Sequence, residues 1–150
     1  MNHTVKVVNE ILVELFNEIL TIEKAVLQMS AYSDLSVTEM HVIEAIGKRS
    51  RTMTDVADQL GITVGTLTTS INRLVNKQYV TRDRSKEDRR FVQIALTEKG
   101  ELAYSIHEAF HQEMVGHMID ELSNEDHEVL VKSLTRLSDF FKEKYHLTKK

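Results

Sequence analysis

The chain has 150 residues, nineteen Lys and Arg against twenty-three Asp and Glu for a formal net charge of −4, and no Cys, Pro or Trp. That length suits one domain of roughly 100–150 residues, and the missing Cys excludes both a disulfide scaffold and thiol-based redox sensing. No apolar run approaches the roughly 20 residues of a membrane span, and the N-terminus lacks a signal-peptide pattern, so a cytoplasmic, mainly helical protein without a membrane partner is expected.

Between residues 5 and 29 the apolar side chains Val8, Leu12, Leu15, Ile19, Ile22, Val26 and Met29 recur at steps of four and three, the spacing of one helical face. Ile11, Phe16 and Leu20 widen that stripe, so this helix needs more than one packing partner. Ser36 and Glu39 then have the spacing of a capping box, in which each side chain satisfies a free N–H of the first helical turn. The helix they open carries Met40, Ile43 and Ile46 inward and stops near Gly47.

Thr52 caps a short helix with Val56, Ala57 and Leu60 inside, Gly61 ends it, and Thr63 caps the next. Two helices joined by a tight Gly-containing turn form a helix-turn-helix pattern. On the second of them Leu67, Ile71 and Leu74 share the buried face, leaving Gly65, Thr66, Thr69, Asn72, Arg73 and Asn76 outward. Residues 79–82 and 91–96 are rich in β-branched and aromatic residues and flank the charged stretch 83–90, which predicts a β-hairpin with a basic tip, the wing of a winged helix-turn-helix. Thr97 caps a long helix reaching about residue 122, and Ser123 caps a last one with Leu130, Leu134, Leu137 and Phe141 on one face. Lys149 and Lys150 are expected to form a frayed end. The fold class predicted is mainly α with a small β-hairpin wing, a winged helix-turn-helix joined to further helices.

The net charge hides a polarised chain. Residues 48–100 hold eleven Lys and Arg against six Asp and Glu and carry +5, leaving −9 on the remainder. Screening cuts off charge beyond roughly 8–10 Å, so a focused positive segment attracts a polyanion even on an acidic protein.

Arg84-Ser85, Asp88-Arg89-Arg90 and the run Ile94-Ala95-Leu96-Thr97-Glu98-Lys99-Gly100 make the chain resemble the MarR family of winged-helix transcriptional regulators over essentially its whole length. Glu39-Met40-His41, Ile43, Ile46-Gly47, residues 63–72, His107 and Phe110-His111 make it similar, within that family, to repressors of fatty-acid biosynthesis genes. The resemblance implies a single domain over 1–150, with 1–32 and 98–147 as a helical dimerisation region. It also implies a DNA-binding region at 36–97, with a recognition helix about 63–78 and a wing about 79–96. The expected partners are double-stranded DNA carrying an inverted repeat, a second copy of the chain in a homodimer, and long-chain acyl-acyl carrier protein as corepressor.

For the major groove the sequence offers Thr66, Thr68, Thr69, Asn72 and Arg73. Threonine methyls pack on the thymine methyl, Asn suits adenine N6/N7 and Arg suits guanine O6/N7, which suggests an A·T-rich site with one guanine. In the wing, the resemblance implies that Arg90 enters the minor groove while Asp88 holds its guanidinium; narrow A·T grooves concentrate the negative potential that attracts Arg. Arg84, Lys86 and Arg89 are expected on phosphates, where they set register.

His107-Glu108-Ala109-Phe110-His111 also spells H-E-x-x-H, which on a helix can hold zinc with the Glu as general base of a metalloprotease. A long dimerising helix offers no substrate cleft, so no enzyme and no catalytic residue are expected. His41, His107, Phe110, His111, Met114 and Met118 are expected to line an effector pocket, Met being adaptable enough to accept a flexible acyl chain. No cofactor is expected; the alternative is Zn2+ on Glu23, His41, His107 and His111, positions similar to those of zinc-sensing members of the family, since imidazoles and a carboxylate suit tetrahedral zinc. The other alternative is a regulator of the same family that responds to a different small-molecule ligand.

Overall fold

Side-chain caps set the helix ends where the sequence places them. In the computed structural model, which describes residues 2–146, Asn2 caps α1 (His3–Met29), and Ser36 with Glu39 forms a reciprocal capping box on α2 (Val37–Ile46). Thr52 caps α3 (Met53–Leu60), Gly61 ends it in the left-handed conformation at φ 68°, and Thr63 caps α4 (Val64–Asn76). Thr97 caps α5 (Glu98–Ile119), and Ser123 with Asp126 caps α6 (Asn124–Lys144). Lys149 and Lys150 lie outside the described residues.

The sheet has three antiparallel strands, one more than the hairpin read from the sequence. β2 (Val80–Arg84) and β3 (Val92–Leu96) pair with Arg82 opposite Ile94, and β1 (Arg51–Thr52) pairs on the other edge of β3 with Arg51 opposite Ile94. Two residues are too few to carry a periodic signal, which is why β1 was not predicted. Its effect is to tie the entry of α3 to the wing.

The core lies in the middle third of the chain. Ile43 and Ile46 of α2, Val56 of α3, Leu67, Ile71 and Leu74 of α4, Tyr79 and Ile94 of β3 are each 1% exposed or less, and Ala103 brings α5 onto them. Each large side chain buried in this way stabilises the fold by roughly 1.5–3 kcal/mol. The long outer helices differ. α6 has no buried residue, and α1 buries only Glu23 and Leu27 while Ile11, Leu12, Leu15, Phe16 and Leu20 stay exposed. Among the described residues no helix is long and apolar enough to cross a membrane.

One buried ion pair fixes α2 against the end of α4. Lys77 Nζ donates to both Glu39 oxygens at 2.9 and 3.1 Å, and Glu39 Oε1 also accepts from Ser36 N at 3.2 Å. Burial alone would push the Glu39 carboxyl up, but the Lys77 and Ser36 hydrogen bonds outweigh it and hold the group below the usual carboxylate range. Beside it, Tyr79 donates to Asp34 Oδ1 at 2.6 Å; burial and that carboxylate push the phenol up. A depressed carboxyl contributes stability that is complete above its unfolded value near 4.5 and is lost as pH falls through the lower folded value. Glu39→Gln is therefore expected to cost about 1–3 kcal/mol at pH 7, because Lys77 keeps only neutral acceptors, the Gln amide oxygen and the Asp34 carbonyl, in place of a carboxylate. In urea unfolding across pH 7 to 3 the gap from the parent should narrow below about pH 4.5; a gap constant with pH refutes this role.

Candidate nucleic-acid interface and interior site

The outward face of α4 is polar because its apolar positions are spent on the core. Thr66, Thr69, Asn72 and Arg73 are exposed and Thr68 is half-buried. Their hydrogen-bonding capacity is partly committed inside the protein. Thr63 Oγ1 donates to Thr66 Oγ1 at 2.9 Å, Thr68 Oγ1 donates to the Val64 carbonyl at 2.8 Å, and Thr69 Oγ1 to the Gly65 carbonyl at 3.4 Å. Asn72 Oδ1 accepts from Arg82 Nη1 at 2.6 Å, a contact between the recognition helix and the wing that nothing in the local sequence pattern signals.

The wing tip is held by its own side chains. Ser85 is buried, its N–H donates to the Phe91 carbonyl at 2.9 Å, and its Oγ accepts from the N–H groups of Glu87 and Asp88. Asp88 accepts from Arg90 Nε at 3.1 Å and from Nη2 at 2.7 Å, a two-point grip on a guanidinium whose side chain is 85% exposed. That hydrogen bonding keeps the Asp88 carboxyl below its usual range and raises the Arg90 guanidinium. Arg84, Lys86 and Arg89 are all exposed, and Arg84 Nη1 donates to the Arg89 carbonyl at 2.9 Å.

A second site lies inside, where α1, α2 and α5 meet. Glu23 is buried and reaches three histidines: His41 Nε2 at 3.4 Å, His111 Nε2 at 3.2 Å and His107 Nε2 at 4.0 Å. His107 Nε2 stands 2.7 Å from Glu44 Oε2 and 2.9 Å from His111 Nε2. Beside the cluster lies a narrow cavity of about 20 Å³, walled by Val26, Leu27, Tyr32, Met40, Ile106 and Phe110, with Glu23 and His107 at its polar end. Glu108 turns away from the cluster toward Lys48 at 3.8 Å.

Residues 33–90 match the sequence profile of the MarR family. Over 93% of this chain and 98% of the other, the structure superposes on Streptococcus pneumoniae FabT, solved in complex with DNA, with 41% identity and a TM-score of 0.84. The chain belongs to the MarR family. A Bacillus subtilis regulator described as the uncharacterised HTH-type transcriptional regulator YpoP is 35% identical over 69 residues, 45% of this chain, and the match spans 49% of that relative. Staphylococcus aureus MepR, also solved with DNA, shares the fold at 20% identity, a TM-score of 0.69 and coverage of 88% and 96%.

This MarR-family chain is thus a DNA-binding transcriptional regulator rather than an enzyme. The structure brings Glu23, His41, His107 and His111 together, and sets Phe110 and His107 on the cavity wall. His41, His111, Met114 and Met118, also expected in the pocket, do not line that cavity: the two His face Glu23, and the two Met lie further along α5, with Met118 half exposed. The apolar wall comes largely from α1 and the α1–α2 connection, through Val26, Leu27 and Tyr32, which periodicity reads simply as helix face and turn. Glu44 was also missed, although it stands one turn beyond His41 on α2 and that spacing could have indicated it.

Proposed function

We propose that this regulator is a homodimeric repressor of fatty-acid biosynthesis genes that binds an inverted-repeat operator and binds it more tightly when long-chain acyl-acyl carrier protein is present. The carrying observation is the narrow apolar cavity between α1, α2 and α5, which an acyl chain would enter by parting these helices. Its lining of Val, Leu, Ile, Met and aromatic side chains suits a hydrocarbon chain, and its single polar end suits a carbonyl. The 41% identity to S. pneumoniae FabT supports the same reading. The cavity walls are the helices on which any change of spacing between two DNA-binding regions would act, so an occupant that favours one arrangement shifts operator affinity by its differential binding.

Self-association is supported by the unpartnered faces of α1 and α6, since a helix of 21 residues with nothing buried draws little stability from its own chain. A twofold dimer would set two recognition helices about 34 Å apart, one DNA turn. Sedimentation equilibrium is expected to give a dimer, and Leu134→Glu to shift it to monomer by at least tenfold in dissociation constant; a parent chain that sediments as a monomer overturns the assignment.

A second reading rests on the interior cluster. The single proton available at His107 Nε2 faces both Glu44 Oε2 at 2.7 Å and His111 Nε2 at 2.9 Å, a crowding that a cation accepting the ring lone pairs would relieve. Glu23, His107 and His111 bring ligand atoms within 4.8 Å of one another, and so do His41, Glu44 and His107; either set could hold Zn2+ and make the chain a zinc-responsive regulator. One titration separates the readings. Operator affinity is measured by fluorescence anisotropy with long-chain acylated carrier, unacylated carrier, and zinc. Acylated carrier alone should raise affinity about tenfold or more, and Val26→Trp, which fills the cavity, should abolish that response while keeping basal binding. Coincident curves at saturating acylated carrier refute the acyl reading, and a zinc-dependent rise with stoichiometric bound metal establishes the second.

A further inference from the structure

Read as an isolated side chain, Asn72 suits adenine, because its amide can donate to N7 and accept from N6–H at once. In the folded protein one of the amide oxygen's two lone pairs is already engaged and the amide's orientation is set. Arg82, on β2, donates from Nη1 to Asn72 Oδ1 at 2.6 Å. A guanidinium has five donors and no acceptor, so chemistry alone requires the amide oxygen to face it. The amide nitrogen, with both its hydrogens, is then turned away from Arg82.

The neighbouring threonines make this orientation consequential. Thr68 and Thr69 spend their hydroxyl protons on the carbonyls of Val64 and Gly65, and so face outward as acceptors. Asn72 with Arg73 therefore forms the donor part of the reading surface, and the threonines the acceptor part. Arg82 belongs to neither the helix nor the wing tip. It borders the groove between them with Thr68, Arg90 and Phe91, which places its guanidinium where helix and wing converge.

We propose that Arg82 is a specificity-determining positioning residue: by donating to Asn72 Oδ1 it fixes which way the amide faces, so that the base preferred at this position depends on Arg82 as well as on Asn72. The pairing acts on which base is accepted, since Arg82 adds one cation whether or not it touches Asn72.

The test is selection of bound duplexes from a randomised operator pool by the full-length regulator and its variants. The parent, and Arg82→Lys, which keeps a donor, should share one base preference at the base pair facing Asn72. Arg82→Ala frees the amide to rotate and should change that preference by roughly tenfold or more at one position in each half-site, the worth of a bidentate pair. In an Asn72→Ala background, Arg82→Ala should have no further effect on base preference. Both side chains are exposed, and thermal melts of each variant establish that it is folded. A uniform loss of affinity with unchanged base preference marks Arg82 as a phosphate contact and overturns the proposal. So does an Asn72→Ala variant that selects the parent's sequences.

Discussion

Arg90→Ala is expected to weaken operator binding by about 1–3 kcal/mol, roughly 5- to 150-fold, and to reduce the slope of log affinity against log salt by about one. The expectation follows from the Asp88 grip. Most of the cost of using a long cation is the rotamer freedom it loses on docking, and two carboxylate contacts at 2.7 and 3.1 Å already hold the guanidinium while leaving the side chain 85% exposed. Asp88→Ala keeps the cation but frees it, so it should lower affinity by less and leave the salt slope nearly unchanged. Anisotropy titrations between 50 and 200 mM salt separate the two effects (both salt values being about the range over which phosphate contacts are most visible). If Arg90→Ala leaves affinity and slope unchanged, the wing does not enter the groove.

Gly100→Ala is the second large effect, and its direction is opposite to the usual one. In a helix interior Ala is favoured over Gly by about 1 kcal/mol. Here a Cβ would stand 2.2 Å from the Tyr79 carbonyl oxygen and 3.2 Å from Leu96 Cβ, and the first of these is backbone that cannot swing aside. The same oxygen accepts from Thr97 N at 3.0 Å, and Thr97 Oγ1 donates to the Gln78 carbonyl at 2.6 Å, so relief would break the junction that caps α5. Overpacking together with a lost hydrogen bond is expected to cost about 2–4 kcal/mol. A clear fall in Tm and in urea midpoint is the outcome anticipated; an unchanged or raised midpoint would show that the strand and helix can part without penalty.

The extent to which the chain could be read in advance follows the range of the forces involved. Caps and turns are settled by residues within four positions of one another, so Ser36 with Glu39, Thr52, Gly61, Thr63, Thr97 and Ser123 all stand at the ends predicted for them. The grip of Asp88 on Arg90, which the family resemblance implied, is equally local. What stayed illegible couples distant segments: Lys77 with Glu39, Tyr79 with Asp34, β1 with β3, and Arg82 with Asn72. None of these pairs has a periodicity to announce it. The interior site falls between the two cases. His107 and His111 share a helical turn and Glu23 and His41 were matched to them by resemblance, but the cavity beside them is made where three helices meet, and only the packing determines which apolar residues face it.

The contact at Gly100 has a mechanical meaning beyond stability. β3 passes into α5 through the single residue Thr97, with Gly100 pressed against the backbone of Tyr79, so the wing strand and the helix bordering the cavity form one stiff arm with a fulcrum at that point. α5 has 22 residues and is therefore about 33 Å long. Over such an arm a tilt of about 5° at the fulcrum moves the far end by about 3 Å, a displacement far larger than the few tenths of an ångström that side-chain packing tolerates. The Gly100 contact thus ties the direction of the wing strand to that of the helix carrying His107 and Phe110.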